Sequence, residues 1–328
     1  MNVENLHPTS NRKSVVALCG GVGGAKLAMG LNAILGSGLK VIVNTGDDFE
    51  HLGLNISPDL DSVLYAMAGI NDVSRGWGRD QETWSFMESL KVLGGETWFQ
   101  IGDKDLALHI ERTRRMRAGV KLSRVIADLA KQLGISCSIL PMSDDPVRTF
   151  IQTNEGLLSF QKYFVMRKCE PISSGINYQG AESAKPLDAA ISALTDPNLD
   201  AIIICPSNPY LSIDPILSIP LYRNALLNSL APIIVISPII AGKTIKGPAD
   251  KLMIEKGLSP NSIEIYKHYQ SLNIRIVIDK VDFALKKFID APVLCTNTVM
   301  NSLTDSIRLA EECLDFALTE SSEAITHQ

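Results

Sequence analysis

The sequence predicts an α/β fold: a Rossmann-like open, mostly parallel sheet with helices on both faces and a small β-rich insertion. Three observations predict it. Short, continuous apolar runs recur along the chain, and parallel sheets bury such strands on both faces. Segments with a helical pattern alternate with these runs, as they do in βαβ units. Finally, the 328 residues are 45% hydrophobic and 20% charged, a composition that is typical of a globular chain with a sizeable core.

The chain opens with one βαβ unit. Residues 14–19 (SVVALC) form a continuous apolar run, residues 25–35 have the pattern of a helix, and residues 39–43 are the next β-branched run. Glycines fill four of the five positions 20–24, between the first run and the helix, and Gly36 ends that helix. A strand, a helix and a second strand in this order make a right-handed crossover with parallel strands.

The later segments repeat this alternation. Ser57 and Pro58 have the pattern of an N-cap and a first helical residue, and Gly69 is a stop signal. The further predicted elements are helices over 58–68, 122–133 and 187–195, strands over 135–140, 201–205, 233–236 and 274–278, and a closing amphipathic helix over 302–318.

The composition of the chain changes between Pro141 and Pro186, where short runs of mixed hydrophobic and polar residues replace the apolar ones. Residues 149–153 and 157–163 flank Asn154-Glu155-Gly156, which predicts a hairpin. At ~150 residues per domain, the length allows one large domain or two that share an interface. We predict a loose N-terminal tail (1–12), a nucleotide-binding core in two parts (13–145 and 190–328) and an inserted β-rich subdomain (146–189).

Charge and hydropathy exclude several classes of protein. The net charge of −5 and the isoelectric point near 5.6 argue against a nucleic-acid binder, which needs a basic surface. No apolar run approaches the ~18 residues of a membrane span. The first residues are polar and lack an apolar signal core, which predicts a cytoplasmic protein. Six scattered cysteines without a CxxC pair predict reduced thiols that pack in the interior.

The glycine-rich turn after the first strand predicts an anion site. Its backbone amides and the following helix N-terminus can bind phosphate, and a nearby lysine adds positive charge. The predicted phosphate contacts are Gly21, Gly23, Gly24 and Lys26. The turn does not match GxxxxGK[ST], and Lys26 stands where GxGxxG has its third glycine, so the nucleotide cannot be named from the turn. The alternative is a tight turn that binds nothing.

Four aspartates follow the second strand. Asp47 and Asp48 come directly after it, and Asp59 and Asp61 lie in or beside the first turn of the next helix. Carboxylates at strand ends suit Mg²⁺, so Asp48 and Asp61 are predicted to hold one ion between themselves and a ligand pyrophosphate. The alternative is that these acids only offset the helix dipole, and for Asp59 alone this alternative is the better explanation.

Other loops supply weaker signals. Trp77 lies between two glycines, where its ring can stack on a flat ligand. Residues 112–117 (RTRRMR) predict a solvated helix face. Ser207 and Asn208 follow a strand and can offer polar groups to a nucleotide.

Two reaction classes are disfavoured by these loops. Residues 237–244 imitate a phosphate-binding loop, but Ser237 replaces its first glycine and Pro248 soon breaks the helix that such a loop opens. We therefore reject a kinase. No histidine pairs with a serine or cysteine and an acid in the pattern of a covalent hydrolase.

Taken together, these residues resemble the 2-phospholactate transferase family, CofD (FbiA in actinobacteria), of coenzyme F-420 biosynthesis. The resemblance rests on eight segments in order between residues 20 and 253. They are GGVGGAKLA (20–28), NTGDD (44–48), SPDLDSVLY (57–65), GWG (76–78), IGDKDLALHI (101–110), ILPMSDDPV (139–147), CPSNPYLSIDPI (205–216) and SPIIAGKTIKGPADKLM (237–253).

The resemblance implies a Mg²⁺-dependent transfer. The acceptor is Fo, 7,8-didemethyl-8-hydroxy-5-deazariboflavin, and the donor is a guanosine diphosphate ester of phospholactate or phosphoenolpyruvate. The ribityl 5′-hydroxyl of Fo attacks the β-phosphorus of the donor, and GMP leaves. Such a displacement needs positioning and charge neutralisation more than a protein nucleophile. The resemblance also implies a homodimer, and it leaves the lactyl, enolpyruvyl and glyceryl donors open.

The resemblance also assigns roles to residues. Asp48 and Asp61 are the catalytic and metal-binding candidates, and either is a candidate to deprotonate the hydroxyl. The guanosine pocket is completed by Asn208 and the 242–248 loop with Gly242 and Lys243. Fo is contacted by Asp61, Trp77 and Lys104, although the ring of Trp77 could stack on either the deazaflavin or the guanine. The family often has arginine at the position of Lys104; lysine keeps the charge but loses the bidentate fork.

Two other functions compete with this one. CofD-like regulatory relatives bind a nucleotide-sugar without known turnover, and they are expected to keep the glycine turn but to lack a deazaflavin pocket. The GWG segment and the Asp48–Asp61 pair favour the enzyme. A nucleotide-dependent oxidoreductase is a weaker alternative, because Asn44 stands where an acidic partner of the ribose is expected.

Overall fold

The computed structural model describes residues 13–319, so the predicted tail at 1–12 lies outside the described residues. The strands are β1 (Val15–Cys19), β2 (Leu39–Val43), β3 (Phe49–His51), β4 (Leu54–Ile56), β5 (Ser138–Pro141), β6 (Arg148–Thr153), β7 (Gly156–Ser159), β8 (Ser173–Gln179), β9 (Ala201–Ile204), β10 (Ile233–Ile236), β11 (Ile239–Ile240), β12 (Lys243–Thr244), β13 (Ile274–Asp279) and β14 (Val293–Thr296).

Helices connect these strands. They are α1 (Gly21–Leu35), α2 (Pro58–Met67), α3 (Ser85–Val92), α4 (Asp103–Arg117), α5 (Leu122–Gln132), α6 (Asp188–Leu194), α7 (Asp214–Leu217), α8 (Pro220–Leu227), α9 (Ala249–Glu255), α10 (Ser262–Tyr269) and α11 (Leu303–Leu318). Shorter 3₁₀ and π-helical turns cover Gly36–Gly38, Lys162–Met166, Pro209–Ile213, Gln270–Leu272 and Lys280–Phe288.

The central sheet has seven strands in the order β14-β13-β10-β9-β1-β2-β5. Every neighbouring pair is parallel. Strand β1 pairs with β2 on one side and with β9 on the other, so the chain changes direction across the sheet at this point. In open α/β sheets, ligands bind beyond the carboxyl ends of the strands at such a reversal.

Both faces of the sheet are covered, which confirms the predicted fold class. Val16 and Leu18 of β1 lie in one hydrophobic core, and Val15, Ala17 and Cys19 lie in the other. Alternate residues of one strand therefore enter opposite cores. This is the physical reason for the continuous apolar runs in the sequence.

Helix α1 begins earlier than the sequence pattern predicted, at Gly21 rather than at residue 25. Glycine has a low helix propensity, but the tertiary contacts of this turn outweigh it. Further along α1, a Cβ on Gly30 would lie 2.1 Å from the carbonyl oxygen of Ser306. Only glycine therefore allows α1 to pack this closely on α11.

The segment predicted as a β-rich insertion contains a three-stranded antiparallel sheet in the order β7-β6-β8. The predicted hairpin is present, with Thr153 paired to Gly156. Its second strand ends at Ser159 rather than at residue 163, because the chain then enters the π-helical turn Lys162–Met166.

Two further predictions need correction, and several strands were not predicted. Strand β5 begins at Ser138 rather than at residue 135, because Gly134 has φ +72° and the amide of Ile135 still caps α5 by donating to the carbonyl of Ala130. Strand β14 and the hairpins β3–β4 and β11–β12 were missed. Residues 112–117 are not one solvated face, because the side chain of Arg112 is fully buried.

The six cysteines are free thiols, and four of them are buried. This agrees with their prediction as packing residues. Between residues 13 and 319, no helix combines the length and the apolar character that crossing a membrane requires.

Candidate active site

A cleft of about 680 Å³ opens beyond the carboxyl ends of β1, β9, β10 and β14. It lies at the reversal of strand order, where the fold places ligands. One wall contains the start of α1 and the loops after β9, β10 and β14, and another contains α2, α4 and the loop before α3. Aromatic residues in the segment after β7 form a third part of the cleft lining.

The structure brings most of the predicted site residues to this cleft, but not all. Those that line it are Gly21, Gly23, Lys26, Asp61, Trp77, Ser207 and Asn208. Those that do not are Gly24, Asp48, Lys104, Gly242 and Lys243. Lys104 and Lys243 are exposed, and the ammonium group of Lys104 lies 3.4 Å from the carbonyl oxygen of Asp80.

The glycine turn is packed closely against the protein itself. A Cβ on Gly23 would lie 2.6 Å from the carbonyl oxygen of Pro206, and one on Gly24 would lie 2.3 Å from Oγ of Ser207. The hydroxyl of Ser207 accepts from the amide of Gly20 at 3.2 Å and donates to the carbonyl of Gly20 at 2.7 Å. These glycines are therefore required by packing, whether or not a ligand approaches them.

Asp59 is in direct contact with the glycine turn. Its Oδ1 accepts from the amide of Gly21 at 2.6 Å, and its Oδ2 accepts from Nδ2 of Asn44 at 2.9 Å. The side chain lines the cleft, and burial raises the pKa of Asp59 to about 6. The sequence pattern indicated only a helix-dipole role for Asp59. Contact between residues 21 and 59 is tertiary, and no local pattern signals it.

The side chains of Asp47 and Asp48, which follow β2, lie in two different pockets. Asp47 lines the cleft, and burial together with the charge of Asp59 raises the pKa of Asp47 well above its ordinary value. Asp48 lines a side pocket of about 160 Å³ that also contains Arg148. Its Oδ2 accepts from Oγ of Ser57 at 2.9 Å, whereas Oδ1 is buried without a hydrogen-bond partner. Burial raises the pKa of Asp48 to about 7.

Asp61 forms a two-point ion pair with Arg112. Nη1 of Arg112 lies 2.5 Å from Oδ1 of Asp61, and Nη2 lies 3.0 Å from Oδ2. The guanidinium also donates from Nε and Nη2 to the carbonyl of Asn55, at 3.0 and 2.9 Å. Arg112 is fully buried, since this face of α4 packs on β4 and its guanidinium contacts α2 through Asp61.

A third set of polar side chains adjoins this pair. Nδ1 of His109 lies 2.8 Å from Nη2 of Arg112, and Nε2 lies 3.1 Å from Oδ2 of Asp105. The hydroxyl of Tyr65 donates to the other oxygen of Asp105. Asp105, His109 and Arg112 are spaced four and three residues apart on one helix. That spacing places them on one face, and it is the sequence signal that could have found them.

Aromatic side chains form part of the cleft. Trp77 is 45% exposed, between Gly76 and Gly78, which both have positive φ. The guanidinium of Arg75 lies 5.3 Å from the centre of the Trp77 ring. Separately, the rings of Phe160 and Phe164 stack at 5.3 Å, with 17° between their planes, and both line the cleft. This second pair was not predicted from the sequence.

The carboxylates have the chemistry of a magnesium site, because Mg²⁺ prefers hard oxygen ligands. The unpartnered Oδ1 of Asp48 fits such an ion. Asp61 fits as well, since Arg112 occupies one lone pair on each of its oxygens and leaves the others. Asp48 and Asp61 line different pockets, however. One ion shared between them therefore stays a prediction.

A comparison with protein families identifies the relatives of this chain. The model of the family described as 2-phospho-L-lactate transferase CofD matches residues 15–313. The chain belongs to the CofD family. The match covers the whole of the central sheet, from the first residue of β1 to a point within α11.

Similar curated proteins carry two names. The 2-phospho-L-lactate transferases of Methanocaldococcus jannaschii and Methanopyrus kandleri are each 38% identical, over 92% of this chain and 97% and 96% of their own lengths. The phosphoenolpyruvate transferase of Kitasatospora aureofaciens is 35% identical, over 90% of this chain and 94% of its own length. This CofD-family chain is thus similar to transferases of both kinds.

Among solved structures, a member of the UPF0052 family from Bacillus halodurans superimposes with a TM-score of 0.62. It is 17% identical, and the match covers 93% of this chain and 99% of that one. At this identity the likeness shows the fold. It supports the assignment of this CofD-family chain to the α/β class with a parallel sheet.

Proposed function

We propose that this protein transfers a phospholactyl or phosphoenolpyruvyl group from a guanosine diphosphate-linked donor to the ribityl 5′-hydroxyl of Fo, releasing GMP and forming (dehydro) coenzyme F-420-0. The observation that carries the proposal is one cleft, in a CofD-family chain, that joins a helix N-terminus, buried carboxylates and aromatic rings. Its volume of about 680 Å³ is of the size that binds small ligands. As part of the proposal, the protein is a cytoplasmic homodimer.

The donor fits the wall that contains the glycine turn. Lys26 lines this wall, and its ammonium group donates to the carbonyl of Met300 at 2.7 Å, which directs it along the cleft. Burial lowers the pKa of Lys26, and the charge of Lys246 adds to this effect. An anionic diphosphate would relieve the repulsion between these two lysines. Ser207 and Asn208 line the same wall and can bind the nucleotide.

The acceptor fits the wall formed by α2, α4 and the loop before α3. Trp77 offers an exposed indole ring for stacking on the deazaflavin. Asp61 lines the same part of the cleft and can accept hydrogen bonds from the hydroxyls of the ribityl chain. The two substrates would then meet between the glycine turn and the first turn of α2.

The reaction needs no protein nucleophile. The acceptor hydroxyl forms a new bond to the β-phosphorus, the bridging P–O bond breaks, and GMP leaves with the electron pair. The hydroxyl proton passes to a carboxylate of the site, for which Asp61 or Asp48 is the candidate. Mg²⁺ would be held by Asp48 and Asp61, and when bound it offsets the charge of the diphosphate. The residues themselves position the two substrates.

The decisive experiment is a donor panel analysed by mass spectrometry. Protein, Fo, Mg²⁺ and the lactyl, enolpyruvyl or glyceryl guanosine diphosphate donor are mixed, and GMP and the coupled deazaflavin are quantified. We expect both products with at least one donor. Nucleotide binding without turnover on any donor would refute the transferase and favour the regulatory alternative.

The metal assignment needs a readout other than activity. Calorimetric titration with Mg²⁺ in the presence of GDP should show one site in the natural protein. The Asp48→Asn and Asp61→Asn variants should each bind the ion more weakly, by roughly ten-fold or more for the loss of one charged ligand. Asp315→Asn, an exposed change on α11, is the control. Unchanged Mg²⁺ affinity in both site variants would refute the assignment.

A further inference from the structure

We propose that Arg112 is a positioning residue, which holds the Asp61 carboxylate in one orientation so that its free lone pairs accept hydrogen bonds from hydroxyl groups of the acceptor. The identity of that acceptor, a polyol-bearing ring, rests on the proposed function. The positioning itself rests on the geometry of α2 and α4.

The contacts of Arg112 join three elements behind the cleft. The guanidinium donates to the carbonyl of Asn55 in β4, to both oxygens of Asp61 in α2, and towards His109 in its own helix. The side chain is fully buried and does not line the cleft. Arg112 therefore acts through Asp61 rather than on a ligand. A planar fork with fixed donors can hold a carboxylate at two points, which a lysine cannot do.

The contact with His109 bears on the tautomer of that residue. Nη2 of Arg112 carries two hydrogens and faces three acceptors, which are the carbonyl of Asn55, Oδ2 of Asp61 and Nδ1 of His109, so these acceptors share the two hydrogens. Because arginine offers only donors, we expect the proton of His109 on Nε2, which lies 3.1 Å from Oδ2 of Asp105 without forming a hydrogen bond to it. The hydroxyl of Tyr65 donates to the other oxygen of Asp105.

These side chains close a ring between the two helices. Asp61 and Tyr65 are one turn apart on α2, while Asp105, His109 and Arg112 follow one face of α4. Asp61 is paired with Arg112, and Tyr65 is paired with Asp105. The backbone of α2 joins Asp61 to Tyr65 and so completes the ring. Four of the five, all except Arg112, line the cleft, so the ring presents a preorganised polar surface to a ligand.

Arg112→Lys tests the inference, with Arg114→Lys as the matched control. Arg114 is on the same helix, but it is exposed and paired with Glu111. In Arg112→Lys, we expect the affinity for Fo, followed by the fluorescence of the deazaflavin, to fall by roughly ten- to hundred-fold. The affinity for GDP, measured with a chelator so that the proposed Mg²⁺ contact of Asp61 does not contribute, should stay within about two-fold, since the glycine turn is not part of the ring. In turnover, the change should appear in KM for Fo more than in KM for the donor.

The tautomer of His109 reports the Arg112–His109 contact, and the affinity for Fo reports the orientation of Asp61. We expect ¹⁵N NMR of the natural protein to show the Nε2–H tautomer, and Arg112→Lys to lose this single tautomer while circular dichroism stays unchanged. Unchanged Fo affinity in a folded Arg112→Lys variant that has lost the contact with His109 would overturn the inference.

A milder variant covers the case in which Arg112→Lys does not fold. Tyr65→Phe removes one hydroxyl that donates to Asp105, and we expect a few-fold weaker affinity for Fo with unchanged affinity for GDP. Equal weakening for both ligands would contradict a role confined to the acceptor wall. If the natural protein does not bind Fo at all, the proposed function fails and the acceptor part of this inference fails with it, whereas Fo binding that Arg112→Lys leaves unchanged refutes the positioning role alone.

Discussion

Asp48→Asn should make the protein more stable at neutral and alkaline pH. The Asp48 carboxylate is buried, one of its oxygens has no hydrogen-bond partner, and burial raises its pKa to about 7. An unfolded aspartate has a pKa near 3.9. Between these two values the folded protein holds a proton on Asp48 that the unfolded chain has lost. Asparagine resembles the protonated side chain in shape and cannot ionise.

The sign and the size of the effect follow from linkage. Because the folded pKa of Asp48 is raised, its stabilising contribution is fully present below about pH 4 and is lost as the pH rises through about 7. A shift of about three pKa units corresponds to ~4 kcal/mol, at 1.36 kcal/mol per unit. The free energy of unfolding of Asp48→Asn should therefore exceed that of the natural protein by up to ~4 kcal/mol near pH 8, and should be similar near pH 4.

Urea denaturation between about pH 4 and pH 8, in the presence of a chelator, measures this difference. Asp315→Asn removes an exposed carboxylate on α11 and should follow the natural protein. Saturating Mg²⁺ near pH 8 should stabilise the natural protein, by ~2.7 kcal/mol at one hundred times the dissociation constant, and should stabilise Asp48→Asn much less. Parallel pH curves for Asp48→Asn and the natural protein would refute the reasoning.

Two further predictions test the walls of the cleft. Gly24→Ala should destabilise the protein by about 1–3 kcal/mol, because the new Cβ would lie 2.3 Å from Oγ of Ser207. Urea denaturation measures the change. Gly175→Ala is the control and should change the stability much less, because the nearest neighbour of its Cβ would be 3.9 Å away. Trp77→Ala should weaken Fo binding by roughly 1–2 kcal/mol in a fluorescence titration. Lys104→Met should change Fo binding little, since Lys104 lies outside the cleft. Equal effects of the two substitutions would contradict the proposed contact between Trp77 and Fo.

The sequence was informative wherever one segment carries its own signal. The run 39–43 became β2 with the predicted bounds, because a strand buried on both faces must be continuously apolar. The stop at Gly36 was also readable. The closing helix begins beside its predicted first residue, since Ser302 forms a reciprocal capping box with Asp305. Signals of this kind depend on neighbours within a few positions. They fix the class of the fold and the place of its ligand cleft.

The predictions that were wrong concern residues whose surroundings depend on contacts between distant segments. Arg112 was assigned to a solvated face because its neighbours are basic, yet a carboxylate 51 residues earlier makes its burial favourable. Asp59 resembled an ordinary first-turn acid, and only the folded chain shows it on the amide of Gly21. A pairwise tertiary contact leaves no periodic trace in one sequence. Such partners become visible only when the helices are packed.

The charge balance of the site explains why these contacts exist. Burying a carboxylate without a partner is costly, and the protein buries Asp47, Asp48, Asp59, Asp61 and Asp105 near one end of the sheet. Arg112 offsets the charge of Asp61, and the amide of Gly21 and the side chain of Asn44 donate hydrogen bonds to Asp59. The raised pKa values of Asp47, Asp48 and Asp59 show that the compensation is incomplete. A cation that arrives with an anionic donor would complete it, so the same carboxylates that lower the stability of the empty protein near pH 8 would favour a magnesium-bound diphosphate.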